Sequence, residues 1–492
     1  MAKDTTPLSA LGLTVVRGPD VGVTGLALDS RKVTQGSLFA ALPGSQVHGA
    51  RFAAGALAAG AAAILTDAEG ARILGGELGG AALVAVEEPR AALAQAAALW
   101  FARQPETVVA ITGTNGKTSV ASFTRQIWAT LGETSASIGT LGVEGAFSAP
   151  GIRTTPDALT LHALLADMAG AGVSHVAMEA SSHGLDQRRM DGVHLAAAAF
   201  TNFSQDHLDY HHTMEAYLAA KLRLFGDLLP DSATAVLNLS DPAAAEAQAI
   251  AEARGLLVLS VGEGVPGADL DITRRRLHET GQSLLFSFAG RRHRADLSLI
   301  GGFQGLNALQ AAGLAIACGA EPEAVFAALP RLTGVRGRMQ LAARRASGAP
   351  IYVDYAHTPD SVATALQALR PHVLGRLHIV LGAGGDRDRG KRPLMGKAAA
   401  AYADAVTVTD DNPRGESPAL IRAAVLEGCP GATEVGDRAE AILRSVDALA
   451  PGDALLIAGK GHETGQEIGD TVYPFDDVEQ ASLAVAALEG AA

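Results

Sequence analysis

What the sequence lacks excludes several classes of protein. Its 492 residues include only two cysteines, Cys318 and Cys429, which are too few for a disulfide framework and too far apart for a local metal motif. No apolar run reaches the roughly 18 residues of a membrane-spanning helix, and the N-terminus lacks the apolar segment of a signal peptide. The formal net charge of −13 argues against general binding to nucleic acid or to anionic membranes. We therefore expect a cytoplasmic protein that neither inserts into membranes nor binds nucleic acid.

The chain is too long for one hydrophobic core, and its patterning predicts three domains. Residues 1–103 alternate short apolar runs with Ala-rich helical stretches, which predicts a small α/β domain. Over 104–333, strand-like and helical runs alternate, which predicts a parallel sheet covered on both faces. Residues 334–492 again place strands before loops and predict a nucleotide-fold-like domain. The fold class is therefore α/β, and because the central domain also contains a glycine-rich loop followed by Lys-Thr (113–118), we expect that domain to be like those of P-loop ATPases.

The stretch AITGTNGKTS (110–119) contains the second half of a phosphate-binding loop. GKT (116–118) matches the end of the usual pattern, but Ile111 occupies the position of its first glycine. The loop follows a predicted strand and precedes a predicted helix, where backbone N–H groups and the helix N-terminus attract phosphate. Lys117 is then placed to reach terminal phosphates, and the Thr118 hydroxyl to bind Mg²⁺. The alternative is an ordinary turn between strand and helix.

Two further stretches place metal-binding side chains at strand ends. Glu179 follows a predicted strand, where a carboxylate can hold the Mg²⁺ of a nucleotide; a solvated loop glutamate is the alternative. FTNFSQDHLDYHH (200–212) is dense in Asp and His and suggests a second metal or phosphate site. His207 is its best candidate, although each histidine alone is more often structural. Zinc is excluded by the spacing and by the lack of cysteine.

Lys221 lies at helical spacing from Tyr217, Leu218 and Phe225, which puts it on the apolar face of a predicted helix. Partial burial lowers the pKa of a lysine, and a neutral amine can react with CO₂ to give a carbamate, which is a negative metal ligand. Spacing alone nevertheless favours the alternative, in which the amine extends along the apolar surface into water.

The loops GAGGDRDRGKRP (382–393) and DDNPRGES (410–417) both follow predicted strands. Arginine is suited to bidentate binding of carboxylates, so these loops are candidate anion sites. For each basic residue a solvated loop is an equal alternative. The basic candidates are Arg387, Lys391, Arg392 and Arg414. Asp354 and His357, in VDYAHTP, lie where a ribose or phosphate can be contacted.

Together these motifs resemble the Mur ligase family of cell-wall synthesis over nearly the whole chain. The short phosphate loop is that family's own form, so nothing is missing from it. The stretches that carry the resemblance follow one another in order: LDSRKVTQGSLFAALPG (28–44), GTNGKTS (113–119), RTTP (153–156), MEASSHGLDQRRMDG (178–192), FTNFSQDHLDYH (200–211), AAKLRLF (219–225), VDYAHTPD (353–360), GGDRDRGKRPLMG (384–396) and DDNPR (410–414).

The resemblance implies a set of sites. ATP is bound by Gly113, Thr114, Asn115, Gly116, Lys117, Thr118, Ser119, Arg338, Asp354 and His357. Mg²⁺ is held by Thr118 and Glu179, and a second Mg²⁺ by His207 and a carbamylated Lys221. The uridine end of the substrate contacts Leu28, Ser30, Ser45, Gln46 and Val47. The muramoyl peptide contacts Thr154, Thr155, Ser181, Gln187 and Arg189. The incoming amino acid contacts Arg387, Asp411, Asn412, Pro413, Arg414, Gly459 and Glu463.

The resemblance also implies the reaction. The protein, which we expect to be a monomer, would join meso-diaminopimelate to the D-Glu γ-carboxylate of UDP-MurNAc-L-Ala-D-Glu, using ATP and an acyl phosphate, and so serve peptidoglycan synthesis, cell shape and division. Lys117, Lys221 and His207 would be its catalytic residues. With lysine in the site, a buried Arg414 would be left without a carboxylate, which would favour diaminopimelate over lysine by about 10²–10⁴-fold. Glu463 would pair with the distal ammonium group.

Several alternatives remain at this point: a lysine-adding relative, a folylpolyglutamate synthetase, or a catalytically inactive ligand-binding relative. Two positions also depart from the family pattern. His48-Gly49 stands where Asp-Gly is common, which puts a uridine-side detail in doubt. Gln304 stands in an Asn position of the motif GGFQGLN, which puts a nucleotide-side detail in doubt.

Overall fold

The computed structural model describes residues 5–44, 46–76, 78–151 and 153–490. Contacts divide the chain into two compact units: the first runs to Val261 and includes Gln310–Val325, and the second comprises Gly262–Leu309 and the chain from Phe326 onward. Within the described ranges, no helix combines the length and the apolar character needed to cross a membrane. The domain boundaries at 103/104 and 333/334 remain predictions.

The N-terminal part of the first unit is α/β, as predicted, and its four-stranded sheet is parallel. Its strands are, in spatial order, Gly25–Ala27, Ser37–Ala40, Ala63–Thr66 and Ala82–Ala85. Its helices are Ala53–Ala58, Ala68–Leu74 and Pro89–Phe101, and Thr6–Pro7 pairs with Gly22–Val23. Successive strand residues point to opposite faces, so Leu38 packs into one core and Phe39 into another.

The larger sheet of the first unit carries the phosphate loop. Its strands are, in spatial order, Leu257–Glu263, Thr234–Asn238, Ala197–Phe200, Thr107–Thr112, His175–Glu179, Ser135–Gly139 and Gly142–Gly145. Neighbours are parallel except for the last pair, so the predicted parallel sheet is confirmed. The helices of this region are Lys117–Thr130, Ala158–Gly170, Ser182–Asp186, Leu208–His211, Met214–Arg223, with a π-helical turn at Leu224–Leu228, and Ala244–Ala253.

The expectation that strands and helices alternate up to residue 333 is wrong for one segment. Leu270–His278, Gly281–Phe288 and Arg291–Leu297 form consecutive antiparallel strands in the second unit. Their apolar residues alternate with exposed polar ones, so one face of these strands is buried and the other is solvated. Helices Phe303–Ala317 and Pro322–Ala328 follow and belong partly to each unit.

The C-terminal sheet of the second unit is mostly parallel. Its strands are, in spatial order, Gln340–Arg344, Pro350–Asp354, Ala454–Ala458, Leu377–Leu381, Ala405–Val408 and Thr433–Glu434; only the first is antiparallel to its neighbour. Its helices are Pro359–Leu369, Lys391–Tyr402, Pro418–Leu426, Arg438–Asp447 and Asp477–Glu489, and Gly465–Ile468 forms a hairpin with Thr471–Pro474. Tyr352 and Ile351 pack into cores on opposite faces.

Candidate active site

The phosphate loop connects the buried strand Thr107–Thr112 to the helix that begins at Lys117. Gly113 and Gly116 both have left-handed backbone angles, with φ of +138° and +86°. A Cβ atom on Gly113 would lie 1.9 Å from the Thr201 hydroxyl, so only glycine fits there. Thr118 and Ser119 lie in the first turn of the helix. The loop thus has the strand–loop–helix setting that the sequence predicts for a phosphate site.

Residues after the neighbouring strand hold the loop in place. The backbone N–H groups of Thr114 and Asn115 donate to the carbonyl and side-chain oxygens of Asn202, each at 2.8 Å. The Thr201 hydroxyl donates to the Asn115 carbonyl at 2.6 Å, and the Ser204 N–H donates to the Thr114 hydroxyl at 3.0 Å. The first residues of the polar stretch 200–212, which the sequence suggests as a metal or phosphate site, thus support the phosphate loop.

Two lysines converge on one carbonyl of the loop. Lys117 donates to the carbonyl oxygens of Gly113 and Thr114 at 2.9 and 2.7 Å, and Lys221 donates to the same Gly113 oxygen at 2.7 Å. Lys221 is only 1 % exposed, and its Nζ lies 4.3 Å from the ring centroid of Tyr217. Burial, reinforced by the charge of Lys117, lowers its pKa well below the usual lysine value, although Asp206 opposes this. The interpretation favoured by spacing, an amine extended into water, is therefore wrong.

Glu179 ends the strand that pairs with the loop strand, opposite Ile111. Its carboxylate is buried and accepts hydrogen bonds from the N–H and the hydroxyl of Thr140, at 2.8 and 3.3 Å. The solvated-glutamate alternative is therefore wrong. Carboxylate and hydroxyl oxygens are the donors that Mg²⁺ prefers, so Glu179 and Thr118 fit this ion chemically. Within the described ranges, no three His, Cys, Asp or Glu side chains form a metal-binding group of their own.

His207 belongs to a group of aromatic side chains near the loop. Its backbone is left-handed, with φ of +53°, and it precedes the short helix Leu208–His211. Its ring centroid lies 4.8 Å from that of His183 and 6.0 Å from that of Tyr217. Burial lowers the pKa of His207, and burial together with His207 and His211 lowers the pKa of His183 to about 4. Both imidazoles are therefore neutral at pH 7, which is the form that can bind a metal.

The residues assigned to the muramoyl peptide form a connected group. Thr155 is buried, and its hydroxyl donates to the Glu179 carbonyl at 2.8 Å and accepts from the Ser181 N–H at 3.0 Å. The Thr154 hydroxyl lies 3.1 Å from that of Thr140. These contacts link the predicted substrate residues to the predicted metal ligand Glu179.

A small cleft of about 80 Å³ joins two of the predicted substrate groups. Leu28, from the uridine group, lines it together with Gln187 and Arg189, from the muramoyl group. Arg189 donates to the Gln187 side-chain oxygen at 2.8 Å. Arg90 and Arg153 also line the cleft, and sequence reasoning missed both. Three guanidinium groups and one carboxylate, that of Asp157, line the cleft, so positive charge prevails and favours an anion such as a diphosphate or a carboxylate.

The remaining uridine-side residues lie near the N-terminal sheet. Ser30 begins a short 3-10 helix, and Gln46 and Val47 are exposed. Ser45 lies outside the described residues. The departure at His48 has a structural explanation, because its Nδ1 accepts from the Ala50 N–H at 3.0 Å, the capping bond that an aspartate would make. Its Nε2 lies 3.0 Å from Asp67, which caps the helix Ala68–Leu74.

In the second unit, the residues assigned to the incoming amino acid surround a buried lysine. Lys460 is fully buried; its Nζ donates to the Asn412 side-chain oxygen at 2.9 Å and lies 3.4 Å from Glu463. Asn412 in turn donates to Glu463 at 2.8 Å. Gly459 has φ of +116°, and a Cβ there would lie 2.5 Å from the Asp411 carboxylate. Sequence reasoning missed Lys460, although it lies between the predicted Gly459 and Glu463.

Arg414 is partly exposed, and its guanidinium group already has hydrogen-bond partners within the chain. Its side chain is 23 % exposed, and its Nε donates to the Glu467 carboxylate at 2.5 Å while Nη1 donates to the Gly385 carbonyl at 3.0 Å. Pro413, beside it, is buried, whereas Arg387 is exposed. The premise of a buried Arg414 with no partner but the substrate is therefore wrong, because Glu467 already provides a carboxylate.

The residues assigned to ATP in the second unit lie around the start of the C-terminal sheet. Asp354 accepts from the N–H groups of Met339 and Ala356 at 2.7 and 2.9 Å. The Arg338 guanidinium lies 4.8 Å from the ring centroid of Tyr355, and the exposed His357 approaches the Tyr355 carbonyl at 2.7 Å.

Gln304 has a defined place in the second unit. Arg338 lines a cavity of about 440 Å³ together with Gln304, whose side-chain oxygen accepts from Asn307 at 3.0 Å. Glutamine at 304 thus keeps an amide in a buried hydrogen bond at the edge of this cavity. The departure from asparagine therefore preserves the chemical character of the position.

Comparisons with known proteins agree with this geometry. Three domain models of the Mur ligase family match consecutive parts of the chain: the catalytic domain matches residues 22–101, the middle domain 111–315 and the glutamate ligase domain 337–461. A UDP-N-acetylmuramoyl-L-alanyl-D-glutamate–2,6-diaminopimelate ligase of Bradyrhizobium diazoefficiens is 53 % identical, covering 94 % of this chain and 95 % of the relative. The Caulobacter vibrioides ligase of the same name is 52 % identical, covering 96 % of each chain.

A solved structure of a ligase with this name is 34 % identical and superposes with a TM-score of 0.72, covering 99 % of this chain and 100 % of the other. The predicted α/β fold with a central, mostly parallel sheet is thereby confirmed. The chain belongs to the Mur ligase family.

Proposed function

We propose that this protein is an ATP-dependent, ADP-forming ligase that joins meso-diaminopimelate to the D-Glu γ-carboxylate of UDP-MurNAc-L-Ala-D-Glu. Family membership and the similarity to ligases of that name support the proposal. The observation that carries it is the phosphate loop on which Lys117 and Lys221 converge. The reaction belongs to peptidoglycan precursor synthesis in the cytoplasm, on which cell shape and division depend.

The first unit would bind the phosphates of ATP. The N–H groups of the loop and the N-terminus of helix Lys117–Thr130 supply partial positive charge, and Lys117 supplies a full one. Thr118 and Glu179 would hold Mg²⁺, which when bound neutralises charge on the phosphates. Glu179 is oriented for this role by Thr140, which donates to both of its oxygens.

Lys221 is proposed to be carbamylated in the working enzyme. Its amine nitrogen would attack the carbon of CO₂, forming an N–C bond and releasing a proton to solvent. Burial keeps the amine neutral and therefore nucleophilic, and a carbamate would give the cationic Lys117 an anionic neighbour. With the neutral imidazole of His207 it would provide a second Mg²⁺ site. Mass spectrometry of the native protein would detect the added CO₂, and its loss on removal of bicarbonate should lower activity.

The chemical step would transfer a phosphoryl group to the substrate. An oxygen of the D-Glu γ-carboxylate attacks the γ-phosphorus of ATP, the bond to the β-phosphate oxygen breaks, and an acyl phosphate and ADP result. Lys117 stabilises the charge that develops on the transferred group. Arg189 and Gln187, which are fixed to each other, would position the peptide that carries the carboxylate.

The second unit would bind the incoming amino acid. Arg414 would bind the distal carboxylate of diaminopimelate, and Glu463 its distal ammonium group. Lys460 holds Asn412 and Glu463 in place from the protein interior. The free amine of diaminopimelate then attacks the acyl carbon, a C–N bond forms, the C–O bond to phosphate breaks, and the amine loses a proton.

The proposal is tested by phosphate release with ATP, Mg²⁺ and UDP-MurNAc-L-Ala-D-Glu, comparing meso-diaminopimelate with L-lysine. Release that requires both the nucleotide substrate and diaminopimelate is expected. Equal release with lysine would retain the ligase but reject the amino-acid assignment. Release with neither would favour an inactive relative.

A further inference from the structure

The carboxylate of Glu467 contacts Arg414, the residue that the proposed function assigns to the distal carboxylate of the substrate. Glu467 lies on the hairpin strand Gly465–Ile468, and its Oε2 accepts from the Arg414 Nε at 2.5 Å. Arg414 Nη1 is engaged by the Gly385 carbonyl. The Nε side of the guanidinium is therefore already filled by a carboxylate of this chain.

The contact is anchored through the backbone as well as through the side chains. The Arg414 N–H donates to the Glu467 carbonyl at 3.1 Å, and the Gly469 N–H donates to the Arg414 carbonyl at 2.9 Å. The Glu467 N–H donates to the Asn412 side chain at 3.0 Å, and Asn412 also binds Lys460. These bonds hold the Glu467 backbone next to Arg414 whether or not the ion pair is formed.

We propose that Glu467 is a specificity-determining residue, which competes with the distal carboxylate of the amino-acid substrate for Arg414; this inference rests on the proposed function. A substrate carboxylate binds arginine best when it bridges two nitrogens of the fork, and the bridge across Nε and Nη2 requires Glu467 to leave Nε. Glu467 can leave towards water, because its side chain is 44 % exposed while that of Arg414 is 23 % exposed.

The competition affects two amino acids in different ways. Diaminopimelate brings its own carboxylate and must displace Glu467, which weakens its binding. Lysine has no second carboxylate, and with Glu467 in place Arg414 remains paired when lysine occupies the site. Glu467 therefore lowers the affinity for diaminopimelate and also reduces the penalty against lysine, since an unpaired cation is what would exclude lysine. Removing the Glu467 charge should strengthen the binding of diaminopimelate and increase the discrimination against lysine.

The test compares wild type with Glu467→Gln and Glu467→Ala by steady-state phosphate release with each amino acid. Gln keeps a neutral acceptor for Arg414 Nε, whereas Ala removes it, so the effect should grow from Gln to Ala. Part-exposed ion pairs are weak, so KM for diaminopimelate should fall about two- to fivefold, with kcat within about twofold of wild type. The ratio of kcat/KM for diaminopimelate to that for lysine should rise.

Glu440→Gln is the matched control, because Glu440 is 49 % exposed and pairs with Arg444 on a helix of the same unit. It should leave both kinetic constants unchanged, and thermal melting of all variants checks that the hairpin is folded. A higher KM for diaminopimelate in Glu467→Gln would overturn the inference, since Glu467 would then attract the substrate; unchanged KM and selectivity would overturn it as well. A wild-type enzyme inactive with both amino acids would overturn the proposed function and the inference with it.

Discussion

Lys117 and Lys221 share one hydrogen-bond acceptor, the carbonyl oxygen of Gly113, at 2.9 and 2.7 Å. Two ammonium groups around one buried carbonyl repel each other, and the more buried of the two is the one that loses its proton. The pair therefore distinguishes a charged lysine, suited to bind phosphate, from a neutral one, suited to react. The two lysines differ chemically because Lys221 is the more buried and because the charge of Lys117 further lowers its pKa.

The buried Lys221 predicts how stability changes with pH when it is replaced by methionine. The pKa of Lys221 is lower in the folded protein than in the unfolded chain, where it has the ordinary value of 10.5. Between these two pKa values the unfolded chain binds more protons than the folded protein, so the stability of wild type rises with pH over this range. Lys221→Met removes the buried amine. Near pH 7 we expect the free energy of unfolding of the variant to exceed that of wild type by on the order of 1 kcal/mol, so that the variant melts at a higher temperature. This difference in stability should disappear towards pH 10.

This comparison is made by thermal melting in CO₂-free buffer, so that a carbamate does not contribute. In a separate assay with bicarbonate present, phosphate release by Lys221→Met should be at least about 10²-fold below that of wild type, although the variant is more stable. A difference in stability between Lys221→Met and wild type that stays constant from pH 7 to pH 10 would contradict the assignment of a neutral amine, because an amine with an ordinary pKa keeps its proton in both the folded and the unfolded state over this range.

Glu179→Gln should separate the charge of this residue from its structural contacts. Glutamine still accepts from the Thr140 N–H, so the fold should be retained, but it lacks the negative charge that a divalent cation requires. We expect the Mg²⁺ concentration for half-maximal phosphate release to rise about tenfold or more. Glu133→Gln, at a position with a 46 % exposed side chain, is the control. The same Mg²⁺ dependence in both variants would exclude Glu179 as a ligand.

Arg414→Lys keeps a positive charge but removes the fork of the guanidinium. A lysine ammonium cannot serve Gly385 and a bridging carboxylate at once, so kcat/KM for diaminopimelate should fall about 10- to 100-fold. Activity with lysine should change by less than about threefold. Arg444→Lys, at a position where the side chain is 62 % exposed, provides the reference for loss of an arginine elsewhere. A parallel loss with both amino acids would indicate a structural role for Arg414.

Asp477→Asn should be among the most destabilising single changes in the second unit. Asp477 and Arg438 are fully buried and joined by two hydrogen bonds of 2.7 Å, and Arg438 also donates to the Ala458 carbonyl. Burial alone would lower the Arg438 pKa, but the Asp477 carboxylate reverses this and raises it. Removing the carboxylate leaves a buried charge unpaired, at about 3–5 kcal/mol. Urea unfolding should show this loss, against less than about 1 kcal/mol for the exposed Glu440→Gln.

The sequence predicted elements with strong local patterns. The strand predicted before the phosphate loop is Thr107–Thr112, and the helix predicted after it is Lys117–Thr130. Periodicity reports which face of an element is apolar, so it succeeds where that face alone decides the structure. It placed Lys221 on the apolar face correctly, but it could not show where the amine ends, because that depends on the loop carbonyl of Gly113, 108 residues earlier.

Contacts between distant segments account for what the sequence did not reveal. Lys460 sits in the short stretch GKG, which has no amphipathic pattern, and its partner Asn412 is 48 residues away. Glu467 is 53 residues from Arg414, and nothing in its own strand marks it as the partner of an arginine. The antiparallel strands of 270–297 were missed because their Arg-rich, solvated face hides the buried alternation.

An isotope experiment tests the central claim most directly. UDP-MurNAc-L-Ala-D-Glu labelled with ¹⁸O in the γ-carboxylate is incubated with the protein, ATP, Mg²⁺ and meso-diaminopimelate, and both products are analysed by mass spectrometry. An acyl phosphate requires one labelled oxygen to leave with phosphate for each amide bond formed. We predict equal amounts of tripeptide product and singly labelled phosphate. Unlabelled phosphate, or phosphate released without the tripeptide, would contradict the account.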